Sequence, residues 1–241
     1  DELHFFIGKD GVFSSIFDFK QTMLGQEGKG WFDHALPTAD ELKESIFQAH
    51  ERADSIGVLS TIIENHDEPR GVSHYIAEGP VNDTSKKALG TIQVLRKGIP
   101  FIYQGQEIGM ENQVFESVED FDDIATINGY HVAKEAGLSE EEALAVIANY
   151  SRDNARTPMQ WSAEPGLGFS DGPAWLISPK PDYSINVEDQ EKDPNSILNY
   201  YRQLTALYRH PLYRNTIRFG DMIPAYRDRE NIIAFERRGD K

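Results

Sequence analysis

The sequence predicts an α/β chain built from parallel strand–helix units. Three observations carry this. Residues 58–63 (Val-Leu-Ser-Thr-Ile-Ile) and 99–103 (Ile-Pro-Phe-Ile-Tyr) are near-continuous apolar runs of strand length, the texture of strands buried on both faces. A stretch with helical spacing separates them, and the order strand–helix–strand implies parallel pairing. Each run ends directly in a polar loop, Glu64-Asn65-His66-Asp67-Glu68-Pro69-Arg70 and Gln104-Gly105-Gln106-Glu107-Ile108-Gly109.

Taken in order, residues 12–19 read as a first short strand, followed by a Gly-rich connector over 25–30. Thr38 with Glu41 three positions later forms a capping box, and Leu42, Ile46, Ala49 and Ala53 then recur at helical spacing. Gly57 stops that helix. Thr84 or Ser85 is expected to cap the next one, which places Leu89, Ile92 and Leu95 on one face and ends at Gly98. Ser139 with Glu142 is a second capping box, opening a helix to about Tyr150. Asp193 followed by Pro194 reads as a cap with proline at the first helical position. The helix after it turns Ile197, Leu198, Tyr201, Leu204 and Tyr208 inward and stops before Pro211. From Ile217 the texture changes to short strands and turns, so a boundary is expected there. The chain opens without an initiator Met and closes just after the strand-like Ile232-Ile233-Ala234-Phe235. A hairpin partner is expected beyond Lys241, and the chain reads as a piece of something larger.

Composition narrows the function. The 241 residues carry 24 Lys and Arg against 40 Asp and Glu, a net charge of −16. That balance disfavours nucleic-acid backbones and anionic membrane surfaces. There are no cysteines, which removes disulfides, thiolate nucleophiles and Cys-based zinc sites and suits a reducing, cytoplasmic compartment. No run is long and apolar enough for a membrane span. The seven histidines lack metal-ligand spacing, so neither metal nor cofactor is expected. Asp120, Asp122 and Asp123 lack the glycine that a calcium loop needs. Gly168-Phe169-Ser170-Asp171-Gly172 fits a nucleophile-elbow pattern but has no preceding strand.

Chemistry concentrates in three places. The 64–70 loop holds five ionisable side chains and an Asn, and a His-Asp pair at a strand end suits hydroxyl-rich ligands. The glycines of 104–109 allow close backbone approach. The run Arg152-Asp153-Asn154-Ala155-Arg156-Thr157-Pro158-Met159-Gln160-Trp161 offers forked donors beside a Trp.

Together these three runs resemble the α-amylase superfamily of glycoside hydrolases, in its oligosaccharide α-glucosidase branch. The resemblance covers essentially the whole chain. It implies the C-terminal part of a (β/α)8 TIM barrel over residues 1–216, about strands six to eight, and the start of a C-terminal β-domain over 217–241. It implies a retaining α-glucosidase acting on α-linked gluco-oligosaccharides. Asp67 would be the transition-state-stabilising carboxylate, with His66 and Arg156 binding the same glucose, and Arg152, Asp153 and Glu107 in support. The nucleophile and the acid/base would lie outside this chain, so the chain alone should be inactive. Family members often have Gln where this chain has Glu68, and Glu where it has Gln106. A half barrel also exposes a sheet edge, so self-association is expected. Two other readings follow from the same resemblance, a non-catalytic glycosidase-like scaffold and a sugar-binding subunit.

Overall fold

A computed structural model describes residues 2–25, 35–76, 79–176 and 178–239. Most of the expected connector over 25–30 lies outside them. Helix α1 (Glu2–Ile7) leads into strand β1 (Ser15–Phe17). Helix α2 (Ala39–Ala53) starts at the Thr38–Glu41 capping box, with both reciprocal bonds formed. Strand β2 (Val58–Thr61) follows. Helices α3 (Gly71–Tyr75) and α4 (Asp83–Leu95) precede strand β3 (Ile99–Pro100). The sheet is parallel in the order β1-β2-β3, with Ser15 opposite Val58 and Ser60 opposite Ile99. Each strand is shorter than the apolar run that encodes it. The ladder nevertheless reaches past the strand ends, since Asp18 N–H donates to the Ser60 carbonyl and Phe101 N–H to the Thr61 carbonyl.

The second half is helical. Helices α5 (Ile124–Glu135) and α6 (Glu140–Tyr150) pack together, α6 opening at the Ser139–Glu142 box. Helix α7 (Val187–Lys192) precedes α8 (Ile197–Arg209) and α9 (Arg214–Phe219). Strands β4 (Asp221–Ala225) and β5 (Ala234–Arg238) close the described chain as an antiparallel pair.

Four expectations are corrected. The cap of α4 is Asn82, whose Oδ1 accepts from both Thr84 and Ser85 N–H, because an Asn side chain reaches the N2 and N3 amides from outside the helix. The cap of α8 is Ser196, accepting from Asn199 N–H at 3.2 Å. Asp193 and Pro194 stand in the turn before it, where Asp193 Oδ1 accepts from Asn195 N–H. Residue 217 falls inside α9, and the strands begin at Asp221. Among the described residues β5 pairs with the upstream β4, where the sequence points to a partner beyond Lys241.

Two apolar layers hold the sheet. Leu42, Ile46 and Phe47 of α2 pack with Ile63, Val72, Tyr75, Leu89 and Met222. A side chain buried as fully as Phe47 contributes about 2–3 kcal/mol. Val94 of α4 meets Ile197, Tyr201 and Leu204 of α8. Gly90 permits that approach, since a Cβ there would stand 2.7 Å from the Tyr201 hydroxyl. The β4–β5 pair is docked on α2: Met222 enters the first layer, and Arg227 forks onto Glu44 and Glu51. A third cluster, Ile108, Met110, Met159 and Leu198, lies beneath the loops at the C-terminal ends of the strands.

Candidate active site

The site starts where β2 ends. Parallel strands direct their C-terminal ends, and the loops after them, to one side of the sheet. The loop after β2 is shaped by Asn65, whose Oδ1 accepts from Asp67 N–H at 2.7 Å. This lifts His66 and Asp67 into solvent. His66 Nε2 sits 3.1 Å from Asp67 Oδ2, with side chains 71% and 50% exposed.

The loop is anchored from below. Glu64 and Arg70, both about 1% exposed, form a buried ion pair at 3.1 Å. The other Glu64 oxygen accepts from Gly71 N–H at 2.6 Å. The Arg70 guanidinium also donates to the Gln104 carbonyl at 2.7 Å and the Asn154 carbonyl at 3.2 Å. One cation thus ties three loops together. Gly105 makes room for it: the backbone there has φ +90, and a Cβ would come within 3.0 Å of Arg70 Nη1. Burial pushes the Glu64 carboxyl up, against the pull of Arg70 and the Gly71 amide.

The second wall comes from the short 3-10 turn Arg152–Ala155, which Ser151 caps at the end of α6. Arg156 follows it. Its Nε donates to the His66 carbonyl at 2.9 Å and its Nη2 to Asp67 Oδ1 at 2.9 Å. Arg152 Nη1 reaches the same Oδ1 at 3.4 Å. The rest of the Arg152 head is held by Asp123, with Nε donating to Oδ2 at 3.2 Å and Nη2 bonded to Oδ1. Burial pushes Asp123 up, but the Arg152 and Thr126 bonds outweigh it and hold the carboxyl below its ordinary range.

Asp67, His66, Arg156 and Arg152, picked from the sequence, therefore meet. Asp153 does not join them. Its Oδ2 turns away and accepts from Asp122 and Asp123 N–H at 2.8 and 2.9 Å, so it shapes the loop that carries Asp123. Glu107 also stays local, accepting from Gly105 N–H at 2.8 Å. The sequence reading missed Asp123 as a partner of Arg152. The available signal was an Asp with Thr126 three residues on, at the mouth of a helical stretch, a cap rather than a metal loop.

Beside Asp67 lies a cavity of about 400 Å³, walled by Phe17, Phe19, Ile62, Phe101 and Tyr103 and floored by the 64–68 segment. Apolar walls with convergent polar groups on one side suit a ligand with a ring face and hydroxyl edges. Among the described residues, no group of three His, Asp or Glu could hold a metal, and no helix is long and apolar enough to cross a membrane.

Glu68 lines the same cavity. Burial, with the neighbouring Asp67 charge, pushes its carboxyl up to about 7 against a bond from Thr22. Folding then favours the protonated form. Between the ordinary carboxyl range and pH 7 the unfolded chain has already lost this proton, so stability falls as pH rises through that window. The full shift would be worth ~3 kcal/mol at 1.36 per pH unit, and solvent access at this partly exposed site reduces that to about 1–2 kcal/mol. Glu68→Gln is expected to flatten urea-unfolding stability between pH 5 and 8. An unchanged slope in the variant would show that Glu68 is not the group responsible.

A model of the alpha-amylase catalytic domain matches residues 8–214. The chain belongs to the α-amylase family. It is 37% identical over 202 residues to probable oligo-1,6-glucosidase 3 of Bacillus subtilis (strain 168), covering 83% of this chain and 35% of that protein. The trehalose-6-phosphate hydrolase of Bacillus licheniformis superposes with a TM-score of 0.91 at 29% identity, over 99% of this chain and 43% of that one. The trehalulose synthase of Pseudomonas mesoacidophila MX-45 gives a TM-score of 0.86 at 31% identity, over 95% of this chain and 41% of that one. The chain spans about a third of the length of the curated relatives it matches. Within the α-amylase family fold, the Asp67 cluster thus occupies the strand-end position where barrel enzymes carry their chemistry.

Proposed function

We propose that this chain forms about the last three strand units of a (β/α)8 catalytic barrel, with residues 217–241 opening a C-terminal β-domain. The protein containing it would be a cytoplasmic α-glucosidase that hydrolyses α-linked gluco-oligosaccharides with retention. The observation that supports this most is the convergence of Arg152 and Arg156 on Asp67, which lines one strand-end cavity together with His66. A retaining glycosidase places two carboxyl groups about 5–5.5 Å apart, one as nucleophile and one as acid/base. In this reading both come from earlier strands. Asp67 then faces the sugar as a third carboxylate. Its charge and that of the oxocarbenium-like transition state attract, and its Oδ2, beside His66, and the His66 imidazole bind hydroxyls that move as the ring flattens. Arg156 orients Asp67 through the bond to its Oδ1. The reaction so described uses no metal or cofactor.

The test is hydrolysis of an aryl α-glucoside by the full-length protein, followed by proton NMR of the first-formed sugar. The α-anomer should appear first, and the 241-residue chain alone should show no turnover. A β-anomer, or a full-length protein without turnover, would overturn the reading; the latter result would favour a glycosidase-like scaffold.

The same reading implies that the isolated chain self-associates. Phe17, Phe19 and Phe101 are each more than 40% exposed on one side of the sheet, an apolar face of the kind that pairs. Sedimentation velocity should give a dimer or larger species at micromolar concentration. A monomer throughout would remove this expectation.

A further inference from the structure

Asp67 has two oxygens with different company. Oδ1 accepts from Arg156 at 2.9 Å and from Arg152 at 3.4 Å, while Oδ2 faces His66 Nε2 at 3.1 Å. A guanidinium has a planar fork of donors that fits a carboxylate two-pronged. Nothing in Arg152 itself limits it to one long contact with one oxygen. The limit comes from Asp123. Its side chain is 2% exposed, and it takes both Nε and Nη2 of Arg152. Asp123 is itself immobile: as the cap of α5 it accepts from Ala125 N–H, Thr126 N–H and the Thr126 hydroxyl, at 3.4, 3.2 and 2.8 Å. The Thr126 hydroxyl lies 2.9 Å from that of Ser151, the cap of the turn that carries Arg152. The four charges alternate in space, Asp123, Arg152, Asp67, Arg156, with Arg156 Nη1 also 4.0 Å from Asp123 Oδ1.

We propose that Asp123 is a positioning residue that draws Arg152 back from Asp67 and so keeps Asp67 Oδ2 open for substrate hydroxyls. The inference rests on the sugar-binding reading of the Asp67 cavity. Without the Asp123 charge, Arg152 and Arg156 would both close on Asp67, the only remaining carboxylate of the four charges, and Arg152 would cover Oδ2. The counter-ion is therefore worth more to ligand binding than the arginine it holds.

Asp123→Asn is the decisive variant, because Asn caps a helix start about as well as Asp while losing the charge and one of the two acceptor oxygens that hold Arg152. Titration of methyl α-D-glucoside into the protein, followed by NMR, should show affinity falling about tenfold in Asp123→Asn. Arg152→Gln should lose less than Asp123→Asn, and Asp123→Asn with Arg152→Gln should recover most of the affinity. A merely structural role would not produce that rescue. The carboxyl carbon-13 signal of Asp67, read without sugar, should move in Asp123→Asn and return in the double variant. An unmoved Asp67 signal, or a double variant weaker than Asp123→Asn, would overturn the proposal. Absence of any sugar response in the unsubstituted protein would instead overturn the sugar-binding reading, and the carboxyl signal would still judge Asp123. Should Asp123→Asn fail to fold, Arg152→Gln still decides: a tenfold loss there would count against the proposal.

Discussion

Arg70→Met is expected to lower the unfolding free energy by about 3–5 kcal/mol, the cost of breaking a buried ion pair from one side. Arg70 is 1% exposed and gives up bonds to Glu64, Gln104 and Asn154 together. Methionine fills much of the volume but donates nothing, so the buried Glu64 carboxylate and the Asn154 and Gln104 carbonyls each lose a donor. Against a total stability of about 5–15 kcal/mol, this is a large share. The loss has a pH signature. With Arg70 gone, only the Gly71 amide offsets the burial that already pushes Glu64 up, and the neutral form of Glu64 is favoured inside. A group with a raised folded pKa loses stability as pH rises above its unfolded value, so the defect should be larger at pH 8 than at pH 5. Glu64→Gln added to Arg70→Met should recover part of it, because Gln still accepts from Gly71 N–H without carrying a charge. Urea unfolding followed by circular dichroism measures all three. A single variant within 1 kcal/mol of the unsubstituted chain at pH 8 would refute the anchoring role.

Asp67→Asn should show the reverse pattern, with stability nearly intact and function lost. Asp67 is 50% exposed and its arginine partners are partly solvated; exposed pairs contribute only about 0–1 kcal/mol. An amide is the same size and can still accept one bond from Arg156. It carries no charge to set against a developing oxocarbenium ion, and preorganised electrostatic contacts of this kind are worth on the order of 10²–10³ in rate. In the full-length protein, kcat on an aryl α-glucoside is therefore expected to fall by on the order of 10²–10³ while KM changes much less. A variant that kept a tenth of the rate would take Asp67 out of the chemistry. The two variants together separate the anchor of the loop from the residue it presents.

The elements legible in the sequence are those whose signal is local. Thr38 with Glu41 and Ser139 with Glu142 define helix starts because both partners of each box lie within one turn. The runs at 58–63 and 99–103 announce parallel strands by their apolar texture, but residues 99–103 are half-buried or exposed, not buried as that texture implies. Short helices such as α1, α7 and α9 have too few turns for a periodic signal, and their stability comes from packing. The cap of α8 was misread because Pro194 is equally at home in a turn before a helix as in its first turn. The pairing of β5 with the upstream β4 is not legible locally, because antiparallel pairing is open to a partner on either side in sequence.

The site divides along the same line. His66 and Asp67 are neighbours in the chain at a strand end, and the spacing of Arg152 and Arg156 sets two guanidinium groups on one turn, so the sequence by itself singled out side chains that the structure brings together. Their meeting was decided in three dimensions. Arg156 lies 89 residues from Asp67 and Asp123 lies 29 from Arg152, separations at which no local propensity acts. Arg70 brings these loops into register, since a buried cation must gather every acceptor within reach to offset its lost hydration. Asp123 then divides the two arginines between two carboxylates, an outcome of charge balance across three segments that no single segment encodes.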